Sequence, residues 1–69
     1  MTNTKLLEKR IKDSGLKKSY IAKVLGISPK TLTHKINNRT GFYGCEISAM
    51  CKLLGITDES EKNAIFFVE

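Results

Sequence analysis

The chain has 69 residues, of which 41% are hydrophobic and 28% are charged, and this is typical of a single small globular domain over residues 1–69. Its longest apolar run, residues 64–68, is too short to span a bilayer, and no apolar segment follows the first residues as a signal peptide requires. One His, two Cys and no cluster of carboxylates leave few groups for acid–base or metal chemistry. We therefore expect a cytoplasmic protein that is not an enzyme and uses no metal, cofactor or small-molecule substrate.

The net charge of +5 is divided unevenly along the chain. Residues 1–40 carry ten of the twelve basic side chains and two acidic ones, whereas residues 41–69 carry two basic and five acidic side chains. Between residues 15 and 40 there are six basic side chains and no acidic one. Such a segment favours a polyanionic partner, usually nucleic acid or an anionic membrane face. The alternative is a solvated lysine-rich surface that only keeps the protein in solution.

Apolar periodicity and capping residues predict an all-α protein of five short helices, and no β-hairpin turn sequence is present. The predicted helices cover about residues 4–14, 18–25, 29–37, 45–54 and 58–68.

Capping residues set the boundaries of the later helices. Gly26 ends the second helix, and the third begins with Ser28 as N-cap and Pro29 at its first position. Asp58 and Glu61 have the spacing of a capping box at the start of the fifth helix.

The two cysteines are not expected to form a disulfide with each other. Cys45 and Cys51 lie six residues apart on one predicted helix, so they point in directions about 240° apart around its axis and cannot bond to each other. We expect both to pack as small apolar residues.

Phe42 and Tyr43 lie in a loop. We expect at least one of these rings to fold back over the core, and the alternative is an anchor for a partner.

The segment of residues 18–37 has the pattern of a helix-turn-helix motif. Ala22 is small enough for the next helix to cross close to it, and Gly26 permits the left-handed backbone of a tight turn. A turn of three residues with glycine between two helices defines the motif. Apolar side chains hold both helices to the core, namely Ile21, Leu25, Ile27 and Leu32.

The sequence SYIAKVLGIS at residues 19–28 resembles the phage repressor/Cro-type helix-turn-helix family. The resemblance covers about residues 4–57. The later sequences GFYGCEI (41–47), LLGI (53–56) and IFF (65–67) are similar to short Cro-like proteins of phages and prophages in Gram-positive bacteria. The resemblance implies a lambda-repressor-like DNA-binding domain of five helices that binds double-stranded DNA and regulates transcription.

The chain departs from the family pattern at two positions. Lys18 stands where many members have a glutamine that contacts phosphate and braces the recognition helix. Lys35 stands where the third helix usually has an apolar residue, and the apolar residue here is Ile36. This shift suggests a third helix that is rolled relative to the usual docking.

Residues on the third helix are the candidates for base contacts. If Leu32 and Ile36 point inward, a helical wheel places four side chains on or near the outer side of the helix. They are Lys30, Thr33, His34 and Asn37. The resemblance implies that the helix enters the major groove, where lysine and histidine donate to purines and a threonine methyl contacts thymine. The alternative is a plain solvated helix surface.

Two helix N-termini and the segment after the third helix are the candidates for phosphate contacts, because free amides and basic side chains attract anions. The candidates are Lys17, Lys18, Ser19, Ser28, Lys35, Asn38, Arg39 and Thr40. The alternative for residues 38–40 is an ordinary polar loop.

Residues 57–69 form a candidate dimer or partner segment. Its consecutive bulky side chains, Ile65, Phe66, Phe67 and Val68, cannot all point inward from one helix. We expect a homodimer or a heterodimer with another phage regulator. The alternative is that Ile65 and Phe66 complete the core of the monomer.

The favoured function is a sequence-specific DNA-binding transcription regulator that occupies an operator. A second hypothesis is a small phage modulator or antirepressor that binds the DNA-binding domain of the phage repressor. A helix-turn-helix antitoxin is a third hypothesis.

Overall fold

A computed structural model describes residues 1–68 of the chain, and within this range the structure consists of helices and loops with no strand. The five helices are α1 (Thr4–Ser14), α2 (Lys18–Leu25), α3 (Pro29–Ile36), α4 (Gly44–Leu54) and α5 (Glu59–Phe66). They form one body of 28 × 24 × 21 Å. The prediction of an all-α protein with five short helices is confirmed, and the predicted boundaries agree to within about two residues.

Side chains cap three of the helices by accepting hydrogen bonds from free backbone amides. Asn3 caps α1 by accepting from Leu6 N, and Asp58 caps α5 by accepting from Ser60 N. The third cap is Ser28 of α3, which accepts from Thr31 N. The predicted capping box of α5 is wrong, because Glu61 pairs with Arg10 instead, with Oε2 3.4 Å from Nε.

The core collects apolar side chains from all five helices. Eleven helical side chains are buried together with Ile56 of the loop between α4 and α5, and the helical ones are Leu7, Ile11, Ile21, Ala22, Leu32, Ile36, Ile47, Met50, Leu54, Ile65 and Phe66. The half-buried Cys51 packs against this cluster, but Cys45 is exposed. The prediction that Cys45 packs in the core is therefore wrong, because its side chain points to solvent from the first turn of α4. Both thiols are free, as expected.

The two ends of the described chain are joined by backbone hydrogen bonds. Asn3 N donates to Ile65 O at 2.6 Å, and Val68 N donates to Met1 O at 2.9 Å. The N-terminal segment therefore lies along the last turn of α5.

Two of the four predicted partner residues are core residues. Ile65 is 1% and Phe66 4% exposed, so neither is available to a partner, and the prediction is wrong for both. The Phe42 and Phe66 rings also pack in a T-shaped arrangement, with centroids 5.6 Å apart. This confirms that one loop ring folds back over the core, whereas Tyr43 stays 70% exposed.

No helix in the described residues is long and apolar enough to cross a bilayer.

Candidate nucleic-acid interface

The turn between α2 and α3 has the tight geometry expected from its sequence. Gly26 has φ +75°, a conformation that glycine adopts without steric cost. Ile27 N donates to Ala22 O at 3.0 Å, which folds the chain back over the end of α2. Ala22 and Leu32 are both fully buried. The small alanine thus lets α3 cross close to α2, and the opposite side of α3 faces outward.

Ser28 caps α3 rather than offering its side chain to a ligand. Its hydroxyl oxygen accepts from Thr31 N at 3.1 Å, and the hydroxyl donates to Thr31 Oγ1 at 2.9 Å. Pro29 has no N–H, so the amides left for an external acceptor at this N-terminus are those of Ser28 and Lys30. The predicted phosphate contact at Ser28 is thereby restricted to its backbone.

We define the outer face of α3 as the four predicted base-contact residues, which are Lys30, Thr33 and His34 on the helix and Asn37 at its C-cap. Lys30, Thr33 and Asn37 are exposed and His34 is half-buried. The Thr33 hydroxyl donates to Pro29 O at 3.0 Å, which leaves its methyl group for an apolar contact. The side chains of the other three make no hydrogen bond or ion pair within residues 1–68. These groups are therefore free to bind an external partner.

The inner face of α3 consists of Leu32, Lys35 and Ile36, all of them buried. Lys35 is only 5% exposed, so the prediction that it contacts phosphate is wrong. Its ammonium group lies 3.1 Å from Glu46 Oε1 and donates to Gly41 O at 2.8 Å. Lys35 points inward, as the apolar residue usually found at this position would. The lysine is therefore no reason to expect α3 to be rolled relative to the usual docking.

Asn38 also has an internal role in place of the predicted phosphate contact. Its side chain accepts from Thr2 N and donates to Thr2 O, each at 2.8 Å. Its own backbone has φ +65°, a conformation that asparagine tolerates better than most residues. The sequence pattern did not indicate that residues 1–4 reach the end of α3, where Thr4 Oγ1 also donates to Ile36 O.

The remaining candidates for phosphate contacts are exposed residues at the N-terminus of α2 and in the segment after α3. Lys17, Ser19, Arg39 and Thr40 are exposed. Lys18 is exposed too, but its ammonium group lies 2.8 Å from Glu8 Oε1. An ion pair at the surface contributes about 0–1 kcal/mol, so a phosphate can compete with Glu8 for this lysine.

Comparison with known proteins found no matching family model, no matching curated protein and no matching solved structure. The function is therefore inferred from the residues of the chain and their geometry.

Proposed function

We propose that this protein is a sequence-specific DNA-binding transcription regulator, a Cro-like phage or prophage repressor of the lambda-repressor-like fold. One observation carries the proposal: within residues 1–68 the side chains of the outer face of α3 have no internal partner apart from the Thr33 hydroxyl, and the face lies within a segment without a carboxylate. A helix that follows a tight turn and presents such a face matches the recognition helix of a helix-turn-helix protein.

The side chains of the outer face suit the edges of bases in the major groove. Lys30 donates to guanine O6 and N7, and His34 donates to a purine N7. Asn37 suits adenine, whose N6 and N7 form a donor–acceptor pair. Thr33, whose hydroxyl is already bonded, offers its methyl group to the methyl of thymine.

Phosphate contacts come from both sides of α3 in this proposal. Lys17, Lys18 and Ser19 lie at the N-terminus of α2, and Arg39 and Thr40 follow α3. The amides of Ser28 and Lys30 add the positive end of the α3 dipole. These contacts orient the protein on the duplex and bind all sequences alike.

The partner surface that we propose consists of Met1, Phe67 and Val68. Met1 is 76% and Phe67 52% exposed, and Val68 is half-buried. The hydrogen bond from Val68 N to Met1 O places the three residues side by side. A homodimer, or a heterodimer with another regulator, formed here binds two half-sites about 34 Å apart, as helix-turn-helix dimers do.

A second candidate function is a modulator that binds the DNA-binding domain of a phage repressor. The exposed apolar side chains of α2 favour it, because Tyr20 is 50% and Val24 46% exposed one turn apart. Paired apolar side chains at the surface are typical of protein contacts rather than phosphate contacts.

Selection of DNA sequences by the purified protein, followed by a salt titration on the best site, separates the two functions. A regulator selects a defined motif and loses affinity steeply with salt. A modulator of this kind selects no motif, and such a result contradicts the DNA-binding proposal.

A further inference from the structure

We propose that Lys35 and Glu46 are positioning residues for the DNA interface, because their buried ion pair holds the loop of residues 39–43 against the fold. This inference rests on the proposed function of the outer face of α3. The loop carries Arg39 and Thr40, which flank that face.

Two backbone groups of the loop are bonded to the ion pair. Lys35 Nζ donates to Gly41 O at 2.8 Å, and Glu46 Oε1 accepts from Tyr43 N at 2.8 Å. The exposed fractions of the two side chains are 6% and 8%. The Tyr43 ring covers the ammonium group, with its centroid 4.5 Å from Nζ, a geometry in which the ring attracts the cation.

The loop has few other anchors. Within residues 1–68, the backbone groups of residues 40–42 make no hydrogen bond except the one from Lys35 to Gly41. The Phe42 ring packs on Phe66 and on the edge of the core. The two ends of the loop keep their own bonds, because Arg39 N donates to His34 O at 2.8 Å and Tyr43 O accepts from Glu46 N and Ile47 N at 3.0 Å each. Between these ends, removal of the ion pair leaves residues 40–42 fixed only by the Phe42 ring, so the segment that directly follows Arg39 loosens.

An apolar pair could fill the same space, so packing does not explain why two charges are buried here. Replacement of a buried ion pair by apolar residues of similar volume is often neutral or stabilising. Such residues cannot donate to Gly41 O or accept from Tyr43 N. The effect specific to the charged pair is thus the conformation of the loop rather than the stability of the domain.

The test compares the double variant Lys35→Met/Glu46→Met with the matched control Lys52→Met/Glu59→Met, which changes the same residue types at exposed positions. We expect both proteins to fold, with a thermal midpoint for the buried variant equal to or above that of the wild type. Backbone order parameters of residues 40–42 should fall from about 0.85 to below about 0.6 in the buried variant only. Order parameters that stay high contradict the inference.

DNA binding provides the second measurement. The buried variant should select the same motif as the wild type but bind every sequence more weakly. The salt slope, which is the slope of the logarithm of the binding constant against the logarithm of the salt concentration, should fall in magnitude by about one unit for each phosphate that the loop no longer neutralises. A loosened loop with unchanged affinity refutes the positioning role. A wild type that selects no DNA refutes the proposed function instead, and the order parameters still show whether the ion pair holds the loop.

If the double variant does not fold, Lys35→Met/Glu46→Gln replaces it. The amide oxygen of the new side chain can still accept from Tyr43 N, while Gly41 O loses its donor. We expect lower order at residues 40 and 41 with Tyr43 unchanged, and unaltered order at residues 40 and 41 overturns the inference.

Discussion

Lys30 and Lys35 lie five residues apart on one helix, yet the fold gives them opposite environments. Lys30 extends from the outer face of α3 into solvent, whereas Lys35 is buried beneath the following loop with Glu46 as its counter-ion. The difference arises because Lys35 lies on the side of Leu32 and Ile36. A basic residue therefore indicates a nucleic-acid contact only when its face of the helix is known.

The largest effect should follow from breaking the buried ion pair on one side. Glu46→Ala leaves the Lys35 ammonium group without a counter-ion, so we expect the free energy of unfolding to fall by about 3–5 kcal/mol. Urea denaturation measures this loss. Glu59→Ala, at an exposed position, should change stability by less than about 0.5 kcal/mol, and equal effects of the two variants would contradict the burial of the pair.

The outer face should respond in the opposite way. Lys30→Ala should leave the free energy of unfolding within about 0.5 kcal/mol of the wild type. It should weaken binding to the best DNA site by about 1–3 kcal/mol, because alanine cannot donate to the base that the lysine recognises. Isothermal titration of the variant and of Lys52→Ala, an exposed lysine of α4, provides the comparison, and similar losses in both would indicate charge alone.

Phosphate contacts should give smaller effects that do not depend on sequence. Arg39→Ala and Lys18→Ala should each weaken binding to all sequences alike and lower the salt slope by about one unit. Lys18 already pairs with Glu8, so Glu8→Gln should strengthen binding slightly by freeing this lysine. A salt titration of each variant on specific and random duplexes measures these changes, and weakening confined to the specific duplex would argue against phosphate contacts.

The proposed partner surface predicts a change in assembly rather than in folding. Phe67→Ser removes exposed apolar area and leaves Ile65 and Phe66 in the core. We expect the dimer to dissociate, as measured by analytical ultracentrifugation, while the thermal midpoint at low concentration stays unchanged. A wild type that remains monomeric at all concentrations contradicts the homodimer.

The smallest effect concerns the two thiols of α4, of which Cys45 is exposed and Cys51 is half-buried against the core. Burial raises the pKa of the Cys51 thiol, with Lys62 opposing and Glu61 adding to the shift. Less thiolate and less access both slow alkylation, so Cys45 should react first and Cys51 more slowly, with a rate that rises with pH. Mass spectrometry of the alkylated protein distinguishes the two sites, and faster labelling of Cys51 would place it outside the core.

The helices were predictable from local features, and the polar contacts between distant segments were not. Apolar spacing and caps such as Ser28 act within a few residues, so they are visible in the sequence. The pairing of Lys35 with Glu46 and of Asn38 with Thr2 depends on how distant segments meet. Neither the charge of Lys35 nor the residue type of Asn38 shows from the sequence alone whether the side chain bonds to another part of the protein or to a phosphate.

The C-terminal segment illustrates the same difference. A helical period cannot bury four consecutive apolar residues, and this correctly indicated that some remain outside. Which ones are buried depends on where α5 meets α1 and residues 1–3. The structure buries Ile65 and Phe66 and leaves Phe67 exposed, and this division could not be derived from the sequence of the segment alone.

The proposed function requires the outer face of α3 to read DNA sequence. Selection of DNA from a random pool by the wild type, Lys30→Ala, His34→Ala and the control Lys52→Ala tests it most directly. We expect one motif for the wild type and the control, with preference lost at one or two base pairs in each of the other variants. The same motif from all four proteins, or no motif from the wild type, would contradict it.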